Sequence, residues 1–290
     1  MPVVLVEAAG PDARDVKRID SPHQSLAEAA HEEPTNGVYL VARTYHGGRV
    51  LELDAHFDRL ERSAAARGHQ IDLPRARIRS VLRDMLREVA PVSGDGRFRV
   101  TAVLDDVPWY RLAMEPATGV DPELLQYGVH CSLRRGTVRA DAEVKSTAWL
   151  VHRRQLNGSG PDGESDGDAV YEHLLAREDG AILEGASSNF YACIGPVVRT
   201  ADEGVLHGIA RRIVLSVIDE IDTDVAVDFN PVTISDLEAG AIDEAFITSA
   251  TRGVVPVRSI DSVELGDPGP ITGKISRHYE AWLERHLRPL

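Results

Sequence analysis

Lys145, in the run AEVKSTAW, is the residue best suited to covalent chemistry. A lysine among small and apolar neighbours gives up its proton more readily than a solvated one, and the neutral amine attacks a carbonyl carbon to form a Schiff base. Only Lys17, Lys145 and Lys274 are lysine among the 32 basic residues. Arginine supplies the rest and does not deprotonate to attack carbon. Glu184 follows, in ILEGASSNFY. A carboxylate at a strand end can pair with a protonated pyridine nitrogen, and the turn after it offers N–H groups and hydroxyls to an anion. Two more turns suit a phosphate. One is Leu206-His207-Gly208-Ile209, which opens a helix and aims its first N–H groups outward. The other is Ser249-Ala250-Thr251, after a strand. Taken singly, each stretch also reads as an ordinary turn or helix start.

The elements that must position these groups are visible in outline. Residues 37–45, GVYLVARTY, read as a strand, His46-Gly47-Gly48 as a turn and Arg49–Leu53 as a return strand. Asp54 is expected to cap a helix carrying Phe57, Leu60 and Ala64, closed by Gly68. A second amphipathic helix is predicted over 75–90, with Ile78, Val81, Leu82, Met85 and Leu86 on one face. Arg97–Leu104 alternates as a strand, and 105–122 reads as a strand and a connection. A domain boundary is placed near 118, giving a smaller domain, 1–118, and a larger one, 119–290, carrying Lys145. In the second, strands are predicted at 127–133, 170–175, 181–184, 189–194 and 245–248. Helices are predicted after Lys145 and at 209–221, 235–239 and 272–288. The polar insert NGSGPDGESDGD, 157–168, buries too little apolar surface to order itself and is expected to be a mobile loop. Interleaved strands and helices in both halves make the class α/β or α+β, in two domains.

Composition narrows the function classes. The 290 residues are 43% hydrophobic, which is ordinary for a globular chain. The net charge of -14 argues against nucleic acid and anionic membrane as partners. No apolar run approaches a membrane span, and the N-terminus lacks the basic region of a signal peptide, so a cytoplasmic location is expected. Cys131 and Cys193 form no disulfide framework or metal motif, and no metal is expected.

The ordered set comprises HFDRLERSA at 56–64, Lys145, the Glu-Gly-Ala-Ser-Ser-Asn stretch from Glu184, and the turns at 206–210 and 249–251. It resembles the class IV aminotransferase family over about Gly37 to Val257. That resemblance implies a two-domain pyridoxal 5'-phosphate (PLP) fold-type IV architecture, D-amino acid aminotransferase-like, and a homodimer. It implies that Lys145 is the Schiff-base lysine and proton carrier. Glu184 would face the pyridine nitrogen, with Ser188 and Asn189 beside the cofactor. Arg59 would bind the phosphate as a guanidinium fork. Leu206 would pack on the ring, and the amides of Ile209 and Ala210 would hold the phosphate. Ser249, Ala250 and Thr251 would complete that cup and help seat the substrate carboxylate. Tyr39, Arg97 and Arg99 would lie on the substrate side, where Arg97 and Arg99 read equally as surface arginines.

The chain departs from the family pattern in places. Ala210 and Ala250 stand where the family commonly has phosphate-binding threonines. Two lost hydroxyl bonds cost about 1 kcal/mol each, so weakened, retained PLP binding is expected. Ala102 replaces a strand arginine of the D-amino acid enzymes, and HEEPTNGVY replaces a glycine- and aspartate-rich opening turn. The expected function is amino-group transfer between an amino acid and a 2-oxo acid. The alternatives are elimination of the aminodeoxychorismate lyase type, and a fold-type IV protein that has lost PLP catalysis.

Overall fold

In the computed structural model, which describes residues 3–10, 12–158, 170–221 and 225–290, the chain separates into two units. The first comprises Met1–Thr118, Val144–His152 and His286–Leu290. The second comprises Gly119–Glu143 and Arg153–Arg285.

The first unit is built on an antiparallel sheet of β1 (Val4–Ala9), β2 (Asp15–Ile19), β3 (Gly37–Tyr45), β4 (Arg49–Leu51), β5 (Gly96–Val103), β6 (Trp109–Pro116) and the C-terminal strand Leu287–Pro289. Their order is C-terminal strand, β4, β3, β5, β6, β1, β2. Helices α1 (Leu26–Ala29), α2 (Leu53–Ala66) and α3 (Arg75–Ser93) accompany it. Strand alternation separates two faces. Val38, Leu40, Phe98, Val100, Leu112 and Met114 form the apolar face, in one core with Phe57, Leu60, Ile78 and Leu82 of α2 and α3. The other face carries Arg97, Arg99 and Thr101, paired across β6 with Glu115, Ala113 and Arg111. Leu26 and Ala29 of α1 pack there with Leu5 and Ala113.

Two expectations are corrected here. Asp54 does not cap α2: the helix starts at Leu53 after Glu52, whose φ is 50°, with no side-chain cap. The Asp54 carboxylate binds Arg79 of α3 instead, at 2.7 Å, so a tertiary ion pair replaces the local cap. Lys145 does not belong with the C-terminal part of the chain. Its segment, Val144–His152, joins the first unit through a short ladder with β3. Tyr39 N donates to Lys145 O and Thr147 N to Gly37 O, both at 2.9 Å, and Gly37 N donates to Thr147 Oγ1 at 2.8 Å.

In the second unit the strands are β7 (Val129–Arg135), β8 (Glu172–Ala176), β9 (Ile182–Gly185), β10 (Asn189–Ile194), β11 (Val197–Arg199), β12 (Ala226–Asp228), β13 (Glu244–Ser249), β14 (Gly253–Ile260) and β15 (Val263–Glu264). The sheet runs β12, β11, β10, β13, β14, β7, β8, β9, with β15 on β14. Pairing of Glu184 with Asn189 brings β9 back to β10 and closes the path. The helices are α4 (Pro122–Tyr127), α5 (Ala148–Gly158, begun in the first unit), α6 (Ile209–Glu220), α7 (Ile234–Glu238) and α8 (Pro270–His286). The strand expected from 127 begins at Val129 because α4 occupies the residues before it. Asp121 caps that helix, accepting from Glu123 N, and Pro122 suits its first turn. The insert expected at 157–168 lies, from 159 onward, outside the described residues. Cys131 and Cys193 are free and buried. Burial pushes both thiols up, so neither is a nucleophile near neutral pH. Among the described residues no helix is long and apolar enough to cross a membrane, and no cluster could hold a metal ion.

Candidate active site

The candidate residues divide between the two units. In the first, the backbone ladder to β3 fixes Lys145, and Ser63 Oγ accepts from its N–H at 3.2 Å. Lys145 Nζ lies 5.0 Å from the centroid of the Tyr39 ring. His56, Arg59 and Ser63 fall on one buried face of α2, as spacings of three and four residues dictate. Arg59 Nη2 lies 3.5 Å from His56 Nδ1. Arg59 thus sits one turn along the helix from the serine that holds the Lys145 backbone.

Arg97 and Arg99 share a face of β5, as alternation predicts, and both meet acids. The Arg99 guanidinium lies 3.5 Å from the centroid of the Tyr39 ring. It grips Glu33 with two bonds, Nε to Oε1 at 2.7 Å and Nη2 to Oε2 at 2.5 Å. Thr101 Oγ1 donates to the same carboxylate at 2.9 Å. Arg97 binds Glu115, whose Oε2 also accepts from Leu26 N at 2.7 Å.

In the second unit, three chain segments meet. Glu184, buried on β9, accepts from Leu206 N at 3.0 Å and lies 3.5 Å from Arg139 Nη1. Asn189 Nδ2 donates to Leu206 O at 2.7 Å. These two bonds hold Leu206 and Gly208 beside the Glu184–Asn189 hairpin. Gly208 is the extended residue before α6, which has no side-chain cap. A Cβ there would stand 2.4 Å from Asn189 Oδ1, so a side chain at 208 would have to push the Asn189 amide aside. Ile209 and Ala210 are the first two residues of α6. Ser188 Oγ donates to Glu172 Oε2 at 3.0 Å, and Ser249 Oγ accepts from Arg252 Nε at 2.9 Å. Ala250 and Thr251 form the half-buried turn between β13 and β14.

Glu172, Arg252, Arg139, Ser187 and Glu33 were not singled out from sequence. A signal existed for three of them. Glu172 is a charge in the apolar run of β8, Ser187 lies inside the stretch marked from Glu184, and Arg252 directly follows the turn marked as a phosphate candidate. Burial opposes ionisation of Glu172, but the Arg252 charge and hydrogen bonds from Ser187 and Ser188 outweigh it. They hold the carboxyl below the usual carboxylate range.

Each unit, taken by itself, carries donors of a kind that PLP requires. A helix start without a side-chain cap, approached through Gly208, fits a phosphate. The buried Glu184 carboxylate fits a cationic ring nitrogen, and the half-buried Lys145 fits an aldehyde.

The family profile described as Amino-transferase class IV matches residues 37–260. A D-alanine aminotransferase of Bacillus licheniformis is 28% identical over 256 residues, covering 83% of this chain and 85% of its own. An aminodeoxychorismate lyase of Bacillus subtilis (strain 168) is 27% identical over 244 residues, 79% of each chain. Among solved structures, a branched-chain amino acid aminotransferase of Escherichia coli has a TM-score of 0.74 at 18% identity, covering 97% of this chain and 94% of its own. An aminotransferase of Brucella abortus bound to PLP has a TM-score of 0.74 at 22% identity, covering 97% and 99%. These structural likenesses bear on the fold.

Proposed function

The chain belongs to the amino-transferase class IV family, and from that premise we propose that it is a PLP-dependent aminotransferase moving an amino group between an amino acid and a 2-oxo acid. The observation that carries the reading is Lys145, a half-buried lysine whose backbone is tied to β3 and whose Nζ faces the Tyr39 ring.

When bound, PLP supplies an electrophilic aldehyde carbon and a conjugated ring that accepts the electron pair left at the substrate's Cα. Lys145 Nζ would hold PLP through its aldehyde carbon until the substrate's amine displaced it, and the freed Nζ would then carry the proton leaving the substrate's Cα. Glu184, oriented by Leu206 N–H and Arg139, holds a positive ring nitrogen. The N–H groups of Ile209 and Ala210, the 249–251 turn and Arg59 would bind the phosphate, and Leu206 would pack on the ring. Tyr39 orients the substrate near its carboxylate. Arg99, already gripped by Glu33, acts through Tyr39. The working form is a cytoplasmic homodimer.

Purified protein saturated with PLP and dialysed free of the excess should show a visible absorption band. Lys145→Ala should lose the band and at least about 100-fold in turnover. Retained turnover in that variant would sink the mechanism. Likeness to the lyase favours a second reading, elimination through the same lysine. Product analysis separates them, because transfer requires a second oxo acid and elimination does not.

A further inference from the structure

Two hairpin loops lie side by side at one end of the second unit's sheet. Residues 186–188 join β9 to β10 and residues 250–252 join β13 to β14, with Asn189 paired to Thr248 between them. Arg252 bridges the loops. Its Nε donates to Ser249 Oγ at 2.9 Å. Its Nη2 reaches Ser187 Oγ at 2.9 Å, Ser187 O at 3.3 Å and Glu172 Oε2 at 3.1 Å. Glu172 accepts in turn from Ser187 Oγ at 2.5 Å and Ser188 Oγ at 3.0 Å. The packing leaves no slack, since a Cβ on Gly185 would stand 2.2 Å from Ser188 Oγ and 2.9 Å from Glu172 Cγ. A planar fork reaches acceptors on both loops at once; a single ammonium does not.

We infer that Arg252 and Glu172 are positioning residues for anion binding in this unit. They lock the two loops in one register, so that backbone N–H groups hold a phosphate where Ala210 and Ala250 supply no hydroxyl. The inference rests on the phosphate-binding part of the proposed function. Neither side chain has to touch the ligand.

The test is calorimetric binding of inorganic phosphate to the full-length protein and its variants. Arg252→Met should weaken phosphate about tenfold or more. Arg252→Lys should recover only part of that loss. Glu172→Gln should weaken phosphate as well, and the double variant should be no weaker than Arg252→Met alone, because the two act as a unit. Thr233→Ala is the control. It removes the capping box of α7 in the same unit and should lower the melting temperature without changing phosphate affinity. If Arg252→Met does not fold, Arg252→Lys and Glu172→Gln carry the same comparison.

Parental affinity in the Arg252 variants, an equal loss in Thr233→Ala, full restoration by lysine, or additive losses in the double variant would each overturn the inference. So would a parent protein that does not bind phosphate. The PLP band is read separately. If it is absent from the parent while the phosphate pattern holds, the aminotransferase reading fails and this one stands.

Discussion

At Arg99 the guanidinium and its acid partner Glu33 are 4% and 2% exposed, and their two hydrogen bonds are parallel. Removing one member strands the other's charge away from water. Glu33→Ala should therefore cost about 3–5 kcal/mol, read by urea unfolding. Arg97→Ala, from a pair whose arginine is 41% exposed, should cost under about 1 kcal/mol. Equal costs would show that burial does not separate the two pairs. Glu172 makes a pH prediction. Its native carboxyl is held below the usual range, by Arg252 and two serine hydroxyls acting against burial. As the pH falls, the unfolded chain therefore takes up the proton first. The stabilisation is complete above the ordinary carboxylate range and disappears as the pH falls through the depressed native value. The slope of unfolding free energy against pH on the acid side should be shallower in Glu172→Gln. An unchanged slope would mean that Glu172 does not carry this linkage.

Among the elements, α8 shows how a helix start is satisfied from a distance. Glu244 of β13 accepts from Ile271 N at 3.1 Å and Thr272 N at 2.7 Å, and a carboxylate is favoured at that end of a helix. A Cβ on Gly269 would stand 2.1 Å from Glu244 Cδ. Gly269→Ala should destabilise by about 1–3 kcal/mol in thermal unfolding, as overpacking does. Gly119→Ala, with nothing within 4 Å, should stay within about 1 kcal/mol of the parent. A helix cap donated by a strand far away in sequence leaves no local mark, whereas the Thr233–Asp236 box at α7 is local and readable.

For the whole molecule, the proposed cofactor and assembly give measurable consequences. PLP at 100 times its dissociation constant should add about 2.7 kcal/mol of stability, seen as a higher melting temperature. No shift at saturation would count against PLP binding to the native state. Light scattering should return twice the mass of one chain; a single-chain mass would remove the homodimer. The net charge of -14 per chain favours dispersal of such an assembly in water without selecting its fold.

The sequence by itself determined what is local. The strand over 37–45, the amphipathic face of Ile78, Val81, Leu82, Met85 and Leu86, and the glycine-led start of α6 follow from side-chain period and turn chemistry. The residue types at Lys145, Glu184 and Arg59 announced amine, carboxylate and guanidinium chemistry, and their order pointed to the family. Tertiary structure decided the partners. It set Glu33 on Arg99, Arg139 on Glu184, and Arg252 with Glu172 between two loops. It also drew Lys145 into the first unit through hydrogen bonds to β3. The physical reason is separation along the chain. Periodicity and capping act within a few residues, whereas an ion pair or a strand ladder joins positions whose proximity exists only once the sheets have formed.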